Sequence, residues 1–68
     1  MNVVLNGESR ELREHATVRE AVAASGAPRE GRGVAVALDG EVVPRRKWDE
    51  ISLKEGQRVE VVRAVQGG

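Results

Sequence analysis

The chain has 68 residues, of which 40% are hydrophobic and 32% are charged, and it contains no cysteine. A chain of this length forms one domain and buries only about 60% of the surface that its unfolded form exposes. The core must therefore be thin, and the lack of cysteine excludes a disulfide or a thiolate metal site that would supplement it. The size disfavours an enclosed active site, so we expect the chain not to be an enzyme.

The charges balance, with 11 basic and 11 acidic residues and a formal net charge of zero. Nucleic-acid-binding domains normally carry a basic excess, so we expect no nucleic acid partner. The longest basic run, Arg45-Arg46-Lys47, is soon followed by Asp49-Glu50, which predicts only a local electrostatic field. No apolar stretch approaches the roughly 20 residues of a membrane span, and the first residues do not resemble a signal peptide. These features predict a cytoplasmic location and no membrane partner.

Two strands are predicted at the start of the chain. Residues 2–6 alternate, with Val3 and Leu5 on one face, and Gly7 supplies a turn. Residues 8–14 read as a second, weaker strand. Together the two segments predict a hairpin.

A short helix follows. Thr17 and Glu20 have the spacing of a capping box, in which each side chain accepts a hydrogen bond from the other residue's backbone N–H. Gly26 favours a left-handed exit and Pro28 prevents continuation. Helical spacing gives this helix of about two and a half turns a small apolar side. That side consists of Val18, Ala21, Val22 and Ser25. So short a helix needs a sheet to pack against.

The second half of the chain begins with a glycine-rich loop over residues 26–33. Residues 34–38 carry no charge, which predicts a strand in the interior of a sheet. Asp39-Gly40 is a strong hairpin signal and leads into a strand over residues 41–43, which Pro44 ends.

Residues 45–52 are predicted to be irregular or a short helical turn, with Trp48 covering one end of the core. The last predicted strand covers residues 58–65. Its alternation places two valines inward and two residues outward: Val59 and Val61, and Glu60 and Val62. The order of elements predicts an α+β fold, with one helix on a mixed sheet of four or five strands and a central closing strand.

Residues that could carry catalysis or hold a metal are scarce. His15 has no second histidine or cysteine to share a metal or a proton relay, and none of the serines lies in a nucleophile-elbow motif. Gly31-Arg32-Gly33 neither follows a strand nor opens a helix, so it does not fit a phosphate-binding loop. We therefore predict no catalytic residue, no metal site and no bound cofactor.

The end of the sequence, Val65-Gln66-Gly67-Gly68, differs from the rest. Two terminal glycines restrict the backbone little and can pass through a narrow channel to present the final carboxylate to a partner. A frayed terminus or a cloning remnant would give the same sequence. We expect a folded domain over residues 1–65 and a flexible tail over residues 66–68.

Taken together, these segments resemble the ubiquitin-like β-grasp sulfur carriers, and most closely the ThiS family of thiamine-biosynthesis sulfur carriers. The resemblance covers nearly the whole chain, and Gln57 departs from it where the family often has aspartate. The matching segments are Val3-Val4-Leu5-Asn6-Gly7, Thr17-Val18-Arg19-Glu20, Val34-Ala35-Val36, Val42-Val43-Pro44-Arg45 with Trp48, and Gly56 through Val59-Glu60-Val61-Val62 to Gly67-Gly68.

The resemblance implies a carrier mechanism that ends on Gly68. A separate ubiquitin-activating-like enzyme, which holds ATP and Mg²⁺, adenylates the Gly68 carboxylate. A sulfur donor such as a cysteine desulfurase persulfide then displaces AMP to leave a thiocarboxylate. Thiazole synthase takes that sulfur to build the thiazole ring of thiamine.

Partner docking is expected on the face of the sheet away from the helix, where alternation places Val62 beside Val4 in a small apolar patch. Arg45 and Arg46 either pair with acidic groups of a partner or are merely solvated, whereas Trp48 is expected to cover the core. The candidate site residues are Gly68 as the sulfur-carrying end, Gly67 and Gln66 in the tail, and Val4, Glu60, Val62, Ala64, Arg45 and Arg46 for docking.

Other functions remain open from the sequence. The same fold and tail suit a sulfur carrier for molybdopterin or cysteine synthesis, and they suit a ubiquitin-like modifier that forms isopeptide bonds through Gly68. A plain interaction domain with an inert terminus is a further possibility.

Overall fold

The computed structural model describes residues 1–28 and 30–64. This part of the chain folds as one helix on a mixed five-stranded sheet, as the sequence predicts. The strands are β1 (Asn2–Leu5), β2 (Glu8–Glu11), β3 (Val34–Leu38), β4 (Glu41–Val43) and β5 (Arg58–Arg63), and the helix is α1 (Val18–Ala24). A 3₁₀ turn over Arg45–Lys47 follows β4.

The predicted first hairpin is confirmed, with β1 and β2 antiparallel, but both strands are shorter than predicted. β1 ends at Leu5 because Asn6 adopts a left-handed backbone conformation, with φ of 50°. β2 ends at Glu11, and Leu12 and Met1 exchange two further hydrogen bonds beyond it: the Leu12 N–H donates to the Met1 carbonyl, and the Met1 amine donates to the Leu12 carbonyl.

Helix α1 begins with the predicted capping box. The Thr17 hydroxyl accepts from the backbone N–H of Glu20, and the Glu20 carboxylate accepts from the backbone N–H of Thr17. Gly26 takes the left-handed exit, with φ of 88°. The helix has seven residues, about two turns. Its stability therefore depends on packing. Of the predicted apolar side, Val18, Ala21 and Val22 are fully buried, whereas Ser25 is the half-buried C-cap residue.

β5 is the central strand, and the sheet order is β2-β1-β5-β3-β4. It pairs parallel with β1 and antiparallel with β3, so the predicted central closing strand and the interior position of β3 are both confirmed. β5 ends at Arg63 rather than at residue 65. Its neighbour β3 begins at Val34, and the residue before it, Gly33, turns away with φ of 69°.

The core lies between α1 and one face of the sheet, and Trp48 closes it, as predicted, with 1% of its surface exposed. The indole Nε1–H donates to the Val43 carbonyl at 3.0 Å, so the one polar atom of this side chain is satisfied. Gly31 lies directly against the indole: a Cβ there would sit 2.3 Å from an indole carbon. The loop before β3 therefore requires glycine at this point of close approach.

Three elements meet at the end of the sheet where β5 terminates. β4 is antiparallel to β3, and its last residue, Val43, pairs with Val36, so the 3₁₀ turn lies at this end as well. The loop that leads into β3 reaches the same end through Gly33. We call this region the exit end, because the chain leaves the sheet here toward residues 65–68.

Candidate functional site

The face of the sheet away from α1, here called the outer face, carries an exposed apolar groove. Val62 of β5 and Val42 of β4 are 62% and 76% exposed, and they flank the alanines of β3. The register pairs Ala35 with Val62 and Ala37 with Val42. Neighbouring strands are about 4.8 Å apart, so the two valines form walls about 10 Å apart over an alanine floor. We call Ala35, Ala37, Val42, Glu60 and Val62 the outer patch.

Glu60 is the one charged member of this patch, and it lies on the outer face as the alternation predicts. It is exposed, lies opposite Ala37 in the register and lines the groove beside Val62. The outer patch is therefore apolar along its floor and walls, with one carboxylate on the side of β5.

The prediction that Val4 lies beside Val62 is wrong. Val4 does share the outer face, but the parallel register pairs it with Arg58, four residues before Val62 in β5. At about 3.3 Å per residue, the two valines are displaced by about 13 Å along the strand. Alternation in a strand specifies the face of a residue and leaves the register with a distant strand undetermined.

Ala64, the last described residue, is exposed and lies one residue past β5. Its N–H donates to the Gly33 carbonyl at 2.6 Å, which ties the departing chain to the loop before β3. The other predicted tail residues, Gln66, Gly67 and Gly68, lie outside the described residues, as does the boundary between the domain and the tail.

Asn6 holds β5 from its other side, and the sequence reasoning missed this role. Its side-chain oxygen accepts from the N–H of Val61 at 2.7 Å, and its amide nitrogen donates to the Val61 carbonyl at 3.3 Å. A side chain thus continues the pairing of β1 with β5 after the β1 backbone has turned away. The Asn6-Gly7 pair indicates a turn in the sequence, but no local pattern predicts a contact with a residue 55 positions away.

Arg45 and Arg46 lie in the 3₁₀ turn at the exit end, and both are exposed. They are therefore separate from the outer patch, although the sequence analysis placed them in one set of docking residues with Glu60 and Val62. The Arg45 Cδ lies 3.3 Å from where a Gly31 Cβ would sit, so the stem of this side chain packs beside the loop that precedes β3.

Hydrogen bonds perturb two carboxylates in the described residues, and both stabilise local structure. Arg13 donates to Glu20 through Nε and Nη2, each at 2.6 Å, and this contact, with the Thr17 N–H, lowers the pKa of Glu20 to about 2. The Arg58 N–H and the Gln57 side-chain amide lower the pKa of Asp39. Neither group faces the outer patch.

Gln57, which departs from the family pattern, has a defined role here. Its side-chain nitrogen donates to Asp39 at 3.0 Å, and its side-chain oxygen accepts from the Lys54 N–H at 2.8 Å. The amide therefore joins the turn before β5 to the β3–β4 hairpin, a task that needs both a donor and an acceptor.

Within residues 1–28 and 30–64, no group of three or more His, Asp or Glu side chains is placed to hold a metal ion. His15 is exposed, and Gly31 is closed against Trp48, so the glycine loop does not offer an open phosphate cradle. In the same described ranges, no helix is long and apolar enough to cross a membrane.

One helix packed on a mixed five-stranded sheet, with the chain leaving from the central strand, defines a ubiquitin-like β-grasp protein. The ThiS family model matches residues 3–68, and the chain therefore belongs to the ThiS family.

Solved structures and a curated relative agree with this assignment. A crystal structure of the thiamine biosynthesis protein (ThiS) from Geobacter metallireducens is 31% identical, covers 100% of both chains and superposes with a TM-score of 0.79. An NMR solution structure of a thiamine biosynthesis protein from the same organism is 31% identical over 100% of this chain and 88% of that chain, with a TM-score of 0.80. A thiazole synthase of Paramagnetospirillum magneticum is 31% identical over all 68 residues, which span 20% of that protein. Family and relatives together support a sulfur-carrier role in thiamine biosynthesis.

Proposed function

We propose that the chain carries sulfur, on the carboxylate of Gly68, to the enzyme that forms the thiazole ring of thiamine. The observation that carries the proposal is the match of the ThiS family model from residue 3 through the final glycine pair. The fold of a thiamine biosynthesis protein over 100% of both chains supports it. The chain itself is not the catalyst in this scheme.

The chemistry requires activation because a carboxylate is a poor electrophile. The Gly68 carboxylate attacks the α-phosphate of ATP, pyrophosphate leaves, and an acyl adenylate forms. A persulfide of a cysteine desulfurase or another donor attacks the acyl carbon and AMP leaves. A thiol reductant then cleaves the acyl disulfide to the thiocarboxylate. ATP and Mg²⁺ belong to the activating enzyme, which resembles a ubiquitin-activating enzyme.

The geometry of the exit end suits a carrier whose reactive group enters a partner. Ala64 is held by Gly33, and Val61 is held by Asn6, so the body is anchored up to the point where the tail starts. The four residues that follow span at most about 14 Å. The partner must therefore contact the exit end or the adjacent sheet when it reaches Gly68.

We propose the outer patch as the surface on which the activating enzyme docks. Val62 is two residues before Ala64, so this patch and the tail share one strand. Val42 and Val62 are each more than half exposed to solvent. A partner that places an apolar side chain on the alanine floor would bury both valines. Burial of the exposed parts of the two valine side chains contributes about 2–4 kcal/mol before the costs of association.

Thiazole synthase is proposed as the partner that consumes the sulfur. A protein of that name contains a segment similar to this whole chain. The presence of both in one polypeptide supports contact between the carrier and thiazole synthase. The cytoplasmic location stays a prediction.

The test combines the purified chain with the activating enzyme, Mg²⁺-ATP, a sulfur donor and a thiol reductant, and follows the intact mass. We expect pyrophosphate release and a product in which one carboxylate oxygen is replaced by sulfur. A variant that lacks Gly68 should retain the melting temperature of the wild type and yield no such product. Lys54→Glu, at an exposed turn away from the exit end, serves as the control and should react normally.

Two results would contradict the proposal. One is a thiocarboxylate formed equally by the variant without Gly68. The other is accumulation of lysine adducts in place of the thiocarboxylate, which would identify a protein modifier. If the sulfur is transferred to an enzyme of molybdopterin or cysteine synthesis and not to thiazole synthase, the carrier mechanism is supported and the assignment to thiamine biosynthesis is refuted.

A further inference from the structure

The exit end carries a group of exposed arginines that the fold brings together from three separate segments. Arg63 is the last residue of β5, and Arg32 precedes the Gly33 that holds Ala64. The 3₁₀ turn at the same end supplies the other two. We call this group the exit rim: Arg32, Arg45, Arg46 and Arg63.

These four guanidinium groups form no ion pair within 4.0 Å with another described residue, although carboxylates are close in sequence. Asp49 is taken up by Arg19 at 2.6 Å, and Glu50 lies 3.9 Å from Lys47. The loop before β3 contains one acidic residue, Glu30, which is exposed. The rim thus keeps a local positive excess.

Acidic residues gather at the opposite end of the sheet. Asp39 lies in the β3–β4 turn, with Glu41 at the start of β4. Glu55 accepts from the N–H of Asn2 at the start of β1. Lys54 and Arg58 lie at this end as well, so acidic and basic residues are mixed here, whereas the exit rim brings four arginines together.

We infer that the exit rim recognises an acidic protein surface surrounding the entrance through which the activating enzyme receives the tail. This inference rests on the proposed function, and it names the chemistry of the partner at that site. The reach of four residues, at most about 14 Å, brings the rim against whatever surrounds that entrance when Gly68 is bound. Four arginines that form no ion pair with the described residues match carboxylates there, in bidentate hydrogen bonds and in the long-range attraction that speeds encounter.

The rim and the outer patch make separable contributions under this inference. Charged contacts at the border of an interface act mainly on the association rate and on its salt dependence, whereas buried apolar contacts act mainly on dissociation. The rim should therefore orient the exit end toward the entrance, and the outer patch should retain the complex once it forms.

The experiment measures association and dissociation rates for the full-length chain and the activating enzyme, from low salt to about 0.5 M NaCl, together with pyrophosphate release. Arg46→Glu is the main variant because the structure records no hydrogen bond or ion pair of this side chain with the described residues. Lys54→Glu makes the same change in net charge at the far end of the sheet and is the matched control. Val62→Ala reports on the outer patch.

At low salt, Arg46→Glu should slow association about tenfold and leave dissociation within about twofold, whereas Lys54→Glu should stay within about twofold on both rates. The effect of Arg46→Glu should shrink to about twofold at 0.5 M NaCl, where the Debye length falls below about 5 Å. Val62→Ala should speed dissociation and keep the wild-type salt dependence.

Equal slowing by Arg46→Glu and Lys54→Glu would overturn the inference, because net charge and not the rim would then control association. Wild-type association that is insensitive to salt, or no detectable binding, would overturn it as well. Pyrophosphate release reports separately on the proposed function. Wild-type binding with the expected salt dependence but without pyrophosphate release would leave the rim supported and refute the carrier chemistry.

Discussion

The two faces of the sheet use the same residue type for opposite purposes. Facing α1, Val59 is fully buried, and Val61 is 8% exposed. On the outer face, Val62 of the same strand is 62% exposed and nothing in the described residues covers it. Valine suits both faces because its branched side chain packs well on a pleated surface. Burial, and not residue type, therefore separates the valines that stabilise the fold from those that are available to a partner.

The sharpest way to test this contrast is to place the same charge on each face of β5. Val59→Asp buries an unpaired carboxylate, which should cost more than about 4 kcal/mol and exceed much of the stability of so small a domain. Val62→Asp should change the free energy of unfolding by no more than about 1 kcal/mol. Urea denaturation followed by circular dichroism measures both.

Affinity for the activating enzyme should depend on the outer face of β5, whereas the free energy of unfolding depends on the inner face. Val62→Asp should weaken the affinity for the activating enzyme at least about tenfold, because it places a charge at the centre of the apolar contact. A folded Val62→Asp variant with wild-type affinity would show that the outer patch is not the docking surface. Loss of folding in Val62→Asp would show that the outer face also stabilises the domain.

A second comparison concerns two glycines in left-handed conformations. A Cβ at Gly31 meets the buried Trp48 at 2.3 Å, whereas a Cβ at Gly40 meets nothing within 4 Å. Gly31→Ala should therefore cost about 2–4 kcal/mol, from the left-handed conformation and from displacement of the indole. Gly40→Ala should cost about 1 kcal/mol from conformation alone. Equal unfolding free energies for the two variants would refute the close packing of Gly31 on Trp48.

The smallest expected effect concerns the start of α1 and depends on pH. Because Arg13 and the Thr17 N–H hold the pKa of Glu20 at about 2, the ionised carboxylate stabilises the folded state above the unfolded-state pKa of about 4.5. At pH 7, Glu20→Gln should cost about 1 kcal/mol, a modest value because the Arg13 partner is solvent-exposed.

The difference between wild type and Glu20→Gln should decline as the pH falls below about 4.5 and vanish near pH 2. Glu8→Gln, at an exposed position of β2, makes the same charge change and should stay within about 0.5 kcal/mol of wild type. A pH-independent cost of Glu20→Gln would exclude the carboxylate as its cause.

Local rules predicted most of the elements correctly. The capping box of Thr17 and Glu20 depends on residues three apart, and the Asp39-Gly40 turn depends on neighbours, which both take positive φ as this hairpin requires. Alternation likewise placed the inward valines of β5. The family resemblance extended the interpretation to the whole fold.

The errors and omissions concern contacts between distant segments. The register of the parallel pair β1–β5 displaced Val4 from Val62, and no local pattern encodes such a pairing. The bonds of Asn6 to Val61 and the clustering of arginines at the exit end also arise from residues far apart in sequence. Val42 was missed as part of the proposed docking surface because its place beside Ala37 on the outer face follows from the pairing of β4 with β3.

The position of Trp48 provides an optical probe of the exit end. The chain contains no tyrosine and no phenylalanine, so all intrinsic near-ultraviolet fluorescence comes from this one indole. The same ring packs against Gly31, which lies two residues before Gly33, and the Gly33 carbonyl accepts a hydrogen bond from the Ala64 N–H. Emission from an unlabelled sample can thus report, in real time, the binding of a tryptophan-free partner at the exit end.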